Sequence, residues 1–142
     1  MLPGYLEVLT VASLTLRLKQ PNDGSRHGHE NDRRCCERLG FQLDFQGPDG
    51  GPFWAGVSRD GIGIMLKAVA SDVLPIPNHT RHEWGPSDAD IYSMDPDALF
   101  DEFRRRGASF VQKLSFIEEG LWGFTVTDAD GYVVRFFCLR DK

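Results

Sequence analysis

The segment from Asp95 to Leu139 restricts the fold more than any other part of the sequence, because it begins with the marks of a complete helix. Asp95 is suited to cap the free N–H groups at a helix start, and Pro96 suits the first helical position. Gly107 suits the left-handed residue that ends a helix. Between these ends lies an apolar stripe with helical spacing, formed by Leu99, Phe100 and Phe103. The sequence therefore predicts a helix over 95–107.

Charge and turn signals extend this prediction. Two pairs of opposite charge lie four residues apart on the predicted helix: Asp101 with Arg105, and Glu102 with Arg106. Further on, the run FTVTDADGYVVRFF predicts a hairpin, since two β-rich stretches flank Asp130-Gly131 and such residue pairs tolerate the positive φ angles of tight turns. The segment is thus predicted to form a helix followed by three strands.

A weaker copy of the same unit lies earlier in the chain. ERLGFQLDF matches RRRGASFVQ, with Gly40 and Gly107 as the two helix ends. SRDGIGIML matches TDADGYVVRF, with Asp60-Gly61 and Asp130-Gly131 as the two turns. The offsets of about 67 and about 70 residues indicate one duplicated module. We therefore predict an α+β fold of two βαβββ modules in a single domain over 1–142: module one at about 5–70, a linker at 71–87 and module two at 88–139.

The remaining elements follow from the apolar patterning. The predicted elements of module one are a strand Tyr5–Leu18, a short helix from about Asp32 to Leu39, and strands Phe41–Phe45, Phe53–Ser58 and Ile62–Val69. A strand from Asp88 to Met94 opens module two. The polar stretch from Lys19 to Asn31 has no periodicity and is predicted to be a loop.

Composition excludes several classes of protein. A net charge of −5 argues against a nucleic-acid binder, which usually needs a basic face. No segment reaches the roughly eighteen apolar residues that a membrane helix needs. The cysteines, two of them adjacent at Cys35 and Cys36, form no disulfide framework and suit a reducing compartment. We therefore expect a cytoplasmic protein without nucleic-acid or membrane partners.

Three motifs resemble the glyoxalase/bleomycin resistance protein/extradiol dioxygenase superfamily, also called the vicinal oxygen chelate proteins. They are CCERLGFQLDF, IYSMDPDALFDEFRRRGA and LWGFTVTDADGYVVRFF, and the resemblance covers the chain from about Tyr5 to its C-terminus. It implies that the two modules form a curved mixed sheet shaped as a cup, and that the protein is a homodimer. Module one departs from the pattern, with a longer loop before its helix and with Cys35 and Cys36 where an aromatic pair is common.

The resemblance also implies a place for a divalent metal ion in the cup. A carboxylate of the strand after the DPDGY turn is the most recognisable ligand in the family, and here Arg135 holds that position, with Met65 as its counterpart in module one. A guanidinium cannot ligate a metal, and a thioether is too soft for the usual ions. Asp88 lies near a third ligand position but is insufficient alone. We therefore predict no catalytic residue, no metal ligand and no cofactor.

The histidines do not change the prediction that the protein has no metal site. His27 and His29 lie in a polar loop without helical ligand spacing, and His79 and His82 lie on the linker. Each is interpreted as part of a solvated loop rather than as a metal ligand.

Strand alternation predicts which side chains line the cup. The predicted ligand-binding residues are Trp54, Met65, Asp88, Asp90, Tyr92, Trp122, Arg135 and Phe137, with Trp84 near the rim. Two alternatives stay open. Arg135 either offers its charge to a ligand or forms a salt bridge with Asp88 or Asp90, and the tryptophans either form pocket walls or pack in the core.

These observations favour a metal-free protein that binds a small organic molecule. The resemblance to the bleomycin-resistance branch of the superfamily implies that it sequesters a cationic or aromatic compound such as an antibiotic. The alternative is an enzyme, a metal-dependent lyase or dioxygenase of the same superfamily, with ligands such as His29 or His82 together with Asp88. A third class, a purely structural or interaction protein, would bind no small molecule. The sequence leaves enzymatic activity undecided.

Overall fold

A computed structural model describes residues 6–7, 36–47, 54–67, 74, 76–81, 83–128 and 130–142, and the side chains of residues 6, 7, 54 and 67 are outside that description. Its strands are β1 (Leu6–Glu7), β2 (Gln42–Gly47), β3 (Trp54–Arg59), β4 (Ile62–Lys67), β5 (Ala89–Ser93), β6 (Ser109–Glu118), β7 (Leu121–Thr127) and β8 (Val133–Leu139). The main helix, α1, spans Pro96–Arg105, residues 36–39 are helical, and a 3-10 turn spans Asn78–Thr80.

The second module has the predicted βαβββ arrangement. Strands β5, β8, β7 and β6 lie side by side in that order, β5 runs parallel to β8, and α1 connects β5 to β6. The two residues of β1 pair antiparallel with β5, so that the opening strand of module one extends the sheet of module two. The predicted α+β fold class is confirmed.

The described part of module one is a three-stranded antiparallel sheet in the order β2-β3-β4. Asp60 and Gly61 alone connect β3 to β4, with φ angles of 50° and 83°, as a two-residue hairpin turn requires. The rest of the predicted strand Tyr5–Leu18 and the start of the predicted helix from Asp32 lie outside the described residues. The domain and module boundaries stay predictions.

The ends of α1 follow the predicted signals. The Asp95 carboxylate accepts a hydrogen bond from the Ala98 N–H at 3.0 Å, and Pro96 occupies the first helical position. Gly107 has a φ of 76°, which ends the helix in the left-handed conformation. Leu99 and Phe103 are buried, as the apolar stripe predicts.

The charged pairs of α1 match the prediction in one case of two. Arg106 Nε donates to Glu102 at 2.8 Å, as predicted for residues four apart. Asp101 instead pairs with Arg104, three residues away, at 3.5 Å. Since residues three and four apart are both neighbours on a helix surface, the sequence spacing could not distinguish the two partners of this exposed carboxylate.

The core joins the two sheets to α1 through a set of phenylalanine rings. Phe103 meets Phe124 and Phe136 edge-on, with centroid distances of 5.5 and 5.0 Å, and Phe124 stacks on Phe136 at 5.4 Å. Each of these three residues has at most 1% of its surface exposed to solvent. Residues of module one complete the same cluster, among them Phe41, Ala55, Val57, Ile62 and Leu66.

Arg59, at the end of β3, links module one to α1. Its Nη1 and Nη2 donate to the two carboxylate oxygens of Glu102 at 2.9 and 2.6 Å, and Nη1 also donates to the Leu39 carbonyl at 2.7 Å. The guanidinium carbon lies 5.6 Å from the centre of the Phe103 ring, and only 14% of the side chain is exposed. A charge so far removed from water needs these partners.

The loop between β7 and β8 is longer than the predicted two-residue turn. It spans 128–132, and Asp128 organises it by accepting hydrogen bonds from the N–H groups of Asp130 and Tyr132, both at 2.9 Å. Gly131 has the expected positive φ of 86°. The glycine signal was correct, but the Asp128 side chain closes a five-residue loop in place of a tight turn.

Replacing Glu102 with Gln should lower the free energy of unfolding by about 1.5–3 kcal/mol, because the Arg59 guanidinium would lose the carboxylate that both of its Nη groups contact, although Asp60 would still accept from Nε at 3.0 Å. The hydrogen bond from Arg59 lowers the pKa of Glu102, so its contribution is present above the ordinary pKa of 4.5 and is lost as pH falls through the lowered value. Urea unfolding at pH 7 measures the change. Asp101→Asn, at an exposed position of the same helix, is the control and should alter stability by less than about 0.5 kcal/mol. Equal effects of the two substitutions would contradict the role given to Arg59.

Candidate functional site

The face of the five-stranded sheet turned away from α1 carries the candidate site, and we call it the cup face. The strand registers place four predicted site residues there: Asp90, Tyr92, Arg135 and Phe137. Ile91 and Phe136, which alternate with them along β5 and β8, are buried in the core on the other face. The parallel register pairs Asp90 with Arg135 and Tyr92 with Phe137.

Arg135 is held by carboxylates on both sides. Its Nε and Nη2 donate to Oδ1 and Oδ2 of Asp90 at 2.6 and 2.8 Å, which is the bidentate geometry of a strong ion pair. Its Nη1 donates to Glu118 Oε1 at 3.0 Å. The Arg135 side chain is 15% exposed. Of the two alternatives left open by the sequence, the structure shows the salt bridge, and the partner is Asp90.

This pair stays ionised at neutral pH. The hydrogen bond with Asp90 raises the pKa of Arg135 further. Burial raises the pKa of Asp90, but the hydrogen bonds from Arg135 and from the Ser87 hydroxyl, the latter at 2.7 Å, outweigh burial and leave that pKa below its usual value. The cup face therefore contains a fixed pair of charges.

An aromatic pair lies next to the ion pair. The Tyr92 and Phe137 rings meet edge to face, with centroids 6.2 Å apart and an interplanar angle of 86°. Both residues are partly exposed on the cup face. Rings in this arrangement offer apolar surface to a ligand beside a charged group.

Strand β6 contributes three polar side chains that the sequence analysis missed. Gln112, Ser115 and Glu118 pair with cup-face positions of β7, although they lie three residues apart. Irregularities in the β6–β7 register between these positions make this possible, since each extra residue restores the side chain to the same face. A strand pattern of period two does not reveal residues spaced in this way. Thr125, buried at 5% exposure between Gln112 and Arg135, was missed as well, although it alternates regularly with the core residues Phe124 and Val126.

Asp88 anchors the linker to the sheet. Its Oδ1 accepts the Asn78 N–H at 2.8 Å, and its Oδ2 accepts the Val133 N–H at 2.7 Å. The Tyr132 hydroxyl accepts the Ile76 N–H at 3.3 Å in the same region. Both oxygens of this predicted site residue therefore hold backbone groups.

The remaining predicted site residues are Trp122, Met65, Trp84 and Trp54. Trp122 pairs with Cys138 on the α1 side of the sheet, where its Nε1 donates to Asp97 at 3.0 Å and Arg140 lies over its ring at 4.8 Å. Met65, partly buried, lies on the face of β4 opposite to the core residues Ile62 and Leu66. Trp84, on the linker, is 87% exposed. The Trp54 side chain is outside the described residues. Whether these residues bind a ligand stays a prediction.

The described donors do not suit the divalent ion that the fold family implies. Arg135 is a guanidinium engaged with Asp90, and both Asp88 oxygens accept backbone N–H groups. Among the residues that the structure describes, no group of three or more His, Cys, Asp or Glu side chains could hold a metal ion. His27, His29 and His82 lie outside that part of the chain.

Asp128, which interacts electrostatically with Asp88, has a raised pKa. Burial raises its pKa to about 6, although the N–H groups of Tyr132 and Asp130 donate to its carboxylate and favour the charged form. The negative charges of Asp130 and Asp88 make smaller contributions to this raised pKa. Ionising Asp128 at neutral pH therefore costs folding free energy.

We expect Asp128→Asn to remove a pH-dependent loss of stability. A folded-state pKa raised from 3.8 to about 6 stabilises the protein below pH 3.8 and loses that effect as pH rises through about 6. Asn keeps an oxygen that can accept both backbone hydrogen bonds but carries no charge. The variant should therefore gain up to about 3 kcal/mol relative to wild type between pH 4 and pH 7, at 1.36 kcal/mol per pKa unit.

Urea unfolding of both proteins at several pH values checks this expectation. The lowered pKa values of Asp90 and Glu102 act in both proteins and cancel in the difference. A difference in unfolding free energy that does not change with pH would contradict the assignment to Asp128.

Comparisons with known proteins give matches at the level of structure. No family model matches the chain, and no curated protein matches it significantly. No helix in the described ranges is long and apolar enough to cross a membrane.

Three solved structures illustrate the similarity. A glyoxalase/bleomycin resistance protein/dioxygenase from Alicyclobacillus acidocaldarius is 21% identical, with a TM-score of 0.55 over 80% of this chain and 83% of that one. The bleomycin-binding protein of Streptomyces verticillus, solved with copper(II)-bleomycin, is 22% identical, with a TM-score of 0.53 over 79% and 87%. TnmS3, an antibiotic binding protein from Streptomyces sp. CB03234, is 18% identical, with a TM-score of 0.56 over 92% and 96%. The chain has the fold of the glyoxalase/bleomycin resistance protein/dioxygenase superfamily, as the sequence resemblance implied.

Proposed function

We propose that this protein binds a small aromatic or cationic organic molecule on its cup face, without a metal ion, and sequesters it rather than transforming it. One observation carries the proposal. The Arg135–Asp90 ion pair occupies the position where the family resemblance implies a metal-binding carboxylate, and it lies directly beside the Tyr92–Phe137 aromatic pair.

The chemistry of these groups suits binding more than catalysis. Small-molecule sites are mostly apolar surfaces with a few placed polar groups, and the cup face combines two aromatic rings with Arg135, Asp90 and Thr125. A guanidinium held by two carboxylate oxygens is neither a general base nor a nucleophile near neutral pH. The site therefore offers orientation and charge, without an evident reactive group among these side chains.

The similar structures support this proposal by analogy. One is described as a bleomycin-binding protein and another as an antibiotic binding protein. Both descriptions concern those proteins, and an antibiotic as the ligand of this chain is part of our proposal. The shared fold makes a cup available, and the residues of this chain determine what it accepts.

We expect the purified protein to retain well below one divalent ion per chain after incubation with zinc, manganese, iron, cobalt or nickel salts and removal of excess metal. The physical reason is that Arg135 is a cation and that Asp88 is occupied by backbone groups. Elemental analysis measures the content. One ion per chain in wild type, lost in His29→Ala or His82→Ala, would favour the metal-dependent lyase or dioxygenase instead.

Phe137→Ala should weaken the binding of an aromatic ligand about tenfold or more, which corresponds to about 1.4 kcal/mol. The substitution removes one wall of the aromatic pair and leaves Arg135 and Asp90 unchanged. Titrations with fluorescent aromatic compounds measure the dissociation constants, and the ligand's own emission is the preferred signal because Trp122 lies on the opposite face of the sheet.

Phe116→Ala is the matched control for this titration. Phe116 also lies in the five-stranded sheet, but it contacts Trp122 on the α1 side, with ring centroids 5.0 Å apart. It should leave ligand affinity unchanged even if it lowers stability. If both substitutions weaken binding equally, the ligand does not occupy the cup face.

A further inference from the structure

We infer that Glu118 determines the charge preference of the cup, and that the cup selects an aromatic compound carrying an ammonium or amidinium group. This inference rests on the proposed function and specifies the ligand class for that same site. It assigns the contact with the ligand's charge to Glu118 and not to Asp88 or Asp90.

Both carboxylate oxygens of Asp90 already accept hydrogen bonds from other residues of the protein. Its Oδ1 accepts from Arg135 Nε at 2.6 Å and from the Ser87 hydroxyl at 2.7 Å, and its Oδ2 accepts from Arg135 Nη2 at 2.8 Å. A ligand that took this carboxylate would leave a guanidinium of 15% exposure without its main partner, which is costly. Asp88 is committed to the N–H groups of Asn78 and Val133 in the same way.

Glu118 is held far more weakly. Its side chain is 63% exposed, and within the described residues its hydrogen bond is the one that Oε1 accepts from Arg135 Nη1 at 3.0 Å. Exposed ion pairs of this kind contribute little to stability. Glu118 can therefore turn to a ligand cation at low cost, while Asp90 continues to hold Arg135.

The local charge balance favours a cation. The cluster contains two carboxylates, Asp90 and Glu118, and one guanidinium, Arg135, so one negative charge is left over. This excess lies on Glu118, because the bidentate contact neutralises Asp90 against Arg135. An anionic ligand would face this charge, and three of the five Arg135 N–H groups already donate to carboxylates.

The register of β5 and β8 sets the size of the ligand. The aromatic pair lies two residues along the strands from the Asp90–Arg135 pair, a separation of about 7 Å at 3.3 Å per residue. A ring on Tyr92 and Phe137 with a cationic group one or two bonds beyond it would reach from one pair to the other. Glu118 reaches the same cluster from β6 through its contact with Arg135.

A charge-matched series of naphthalene probes tests this inference: 2-naphthylmethylammonium, 2-naphthylmethanol and 2-naphthoate. Their dissociation constants are measured by the emission of naphthalene with wild type, Glu118→Gln and Glu119→Gln. Glu119 is the adjacent exposed carboxylate, so its substitution changes the net charge equally without altering the cluster. We expect Glu118→Gln to weaken the ammonium probe by up to about fivefold, the range of an exposed ion pair, and to leave the alcohol unchanged, while Glu119→Gln changes neither.

Each other outcome overturns the inference in a distinguishable way. If wild type binds the probes but Glu118→Gln and Glu119→Gln behave alike, Glu118 makes no ligand contact and the proposed function survives. If wild type prefers 2-naphthoate, Arg135 recognises the ligand and the charge assignment is wrong. If no probe binds to wild type, both the inference and the proposed binding function fail.

Discussion

The arrangement of the two modules depends on the interaction of the Arg59 guanidinium with Glu102. This guanidinium is a charge at the end of β3 with little access to water. Glu102 of α1 and the Leu39 carbonyl are its partners outside the hairpin, and the neighbouring Asp60 accepts from its Nε at 3.0 Å. Because α1 in turn packs on β7 and β8 through Phe103, these contacts fix the three-stranded sheet relative to the five-stranded one. An apolar contact alone would hold the two parts together but would specify their orientation less strictly, since a bidentate ion pair has one favourable geometry.

The character of the cup face depends on a second guanidinium in a similar setting. At position 135 a carboxylate would add a possible metal ligand next to Asp90, whereas arginine neutralises Asp90 and excludes a cation from the space between them. The residue at position 135 therefore decides whether Asp90 lies beside a second carboxylate or forms an ion pair. What remains for a ligand is the Tyr92–Phe137 surface and the exposed carboxylate of Glu118. The same fold can carry either chemistry, and our proposal of metal-free binding rests on these side chains.

Sequence reasoning succeeded where the signal was local or a strand alternated regularly, as at Asp90 and Arg135, and failed where the strand pairing departed from the expected register. The helix cap at Asp95 and the stop at Gly107 depend on a few adjacent residues, and both are present. A two-residue turn at Asp130-Gly131 would pair Trp122 with Leu139 on the face of Arg135. The five-residue loop that Asp128 closes shifts the register by one, so that Trp122 pairs with Cys138 and faces α1. Glu118 was missed for a related reason, because irregular pairing along β6 hides its face from any simple alternation.

The linker is part of the site's construction and more than a connection between modules. Asn78 donates its backbone N–H to the Asp88 carboxylate and its side-chain amide to the Ser87 carbonyl, so the 3-10 turn fixes the two residues before β5. Ser87 then donates its hydroxyl to Asp90, the partner of Arg135. A continuous chain of hydrogen bonds therefore runs from the linker to the ion pair of the cup face. The position of Asp90, and through it that of Arg135, therefore depends on contacts with the linker as well as on the strands.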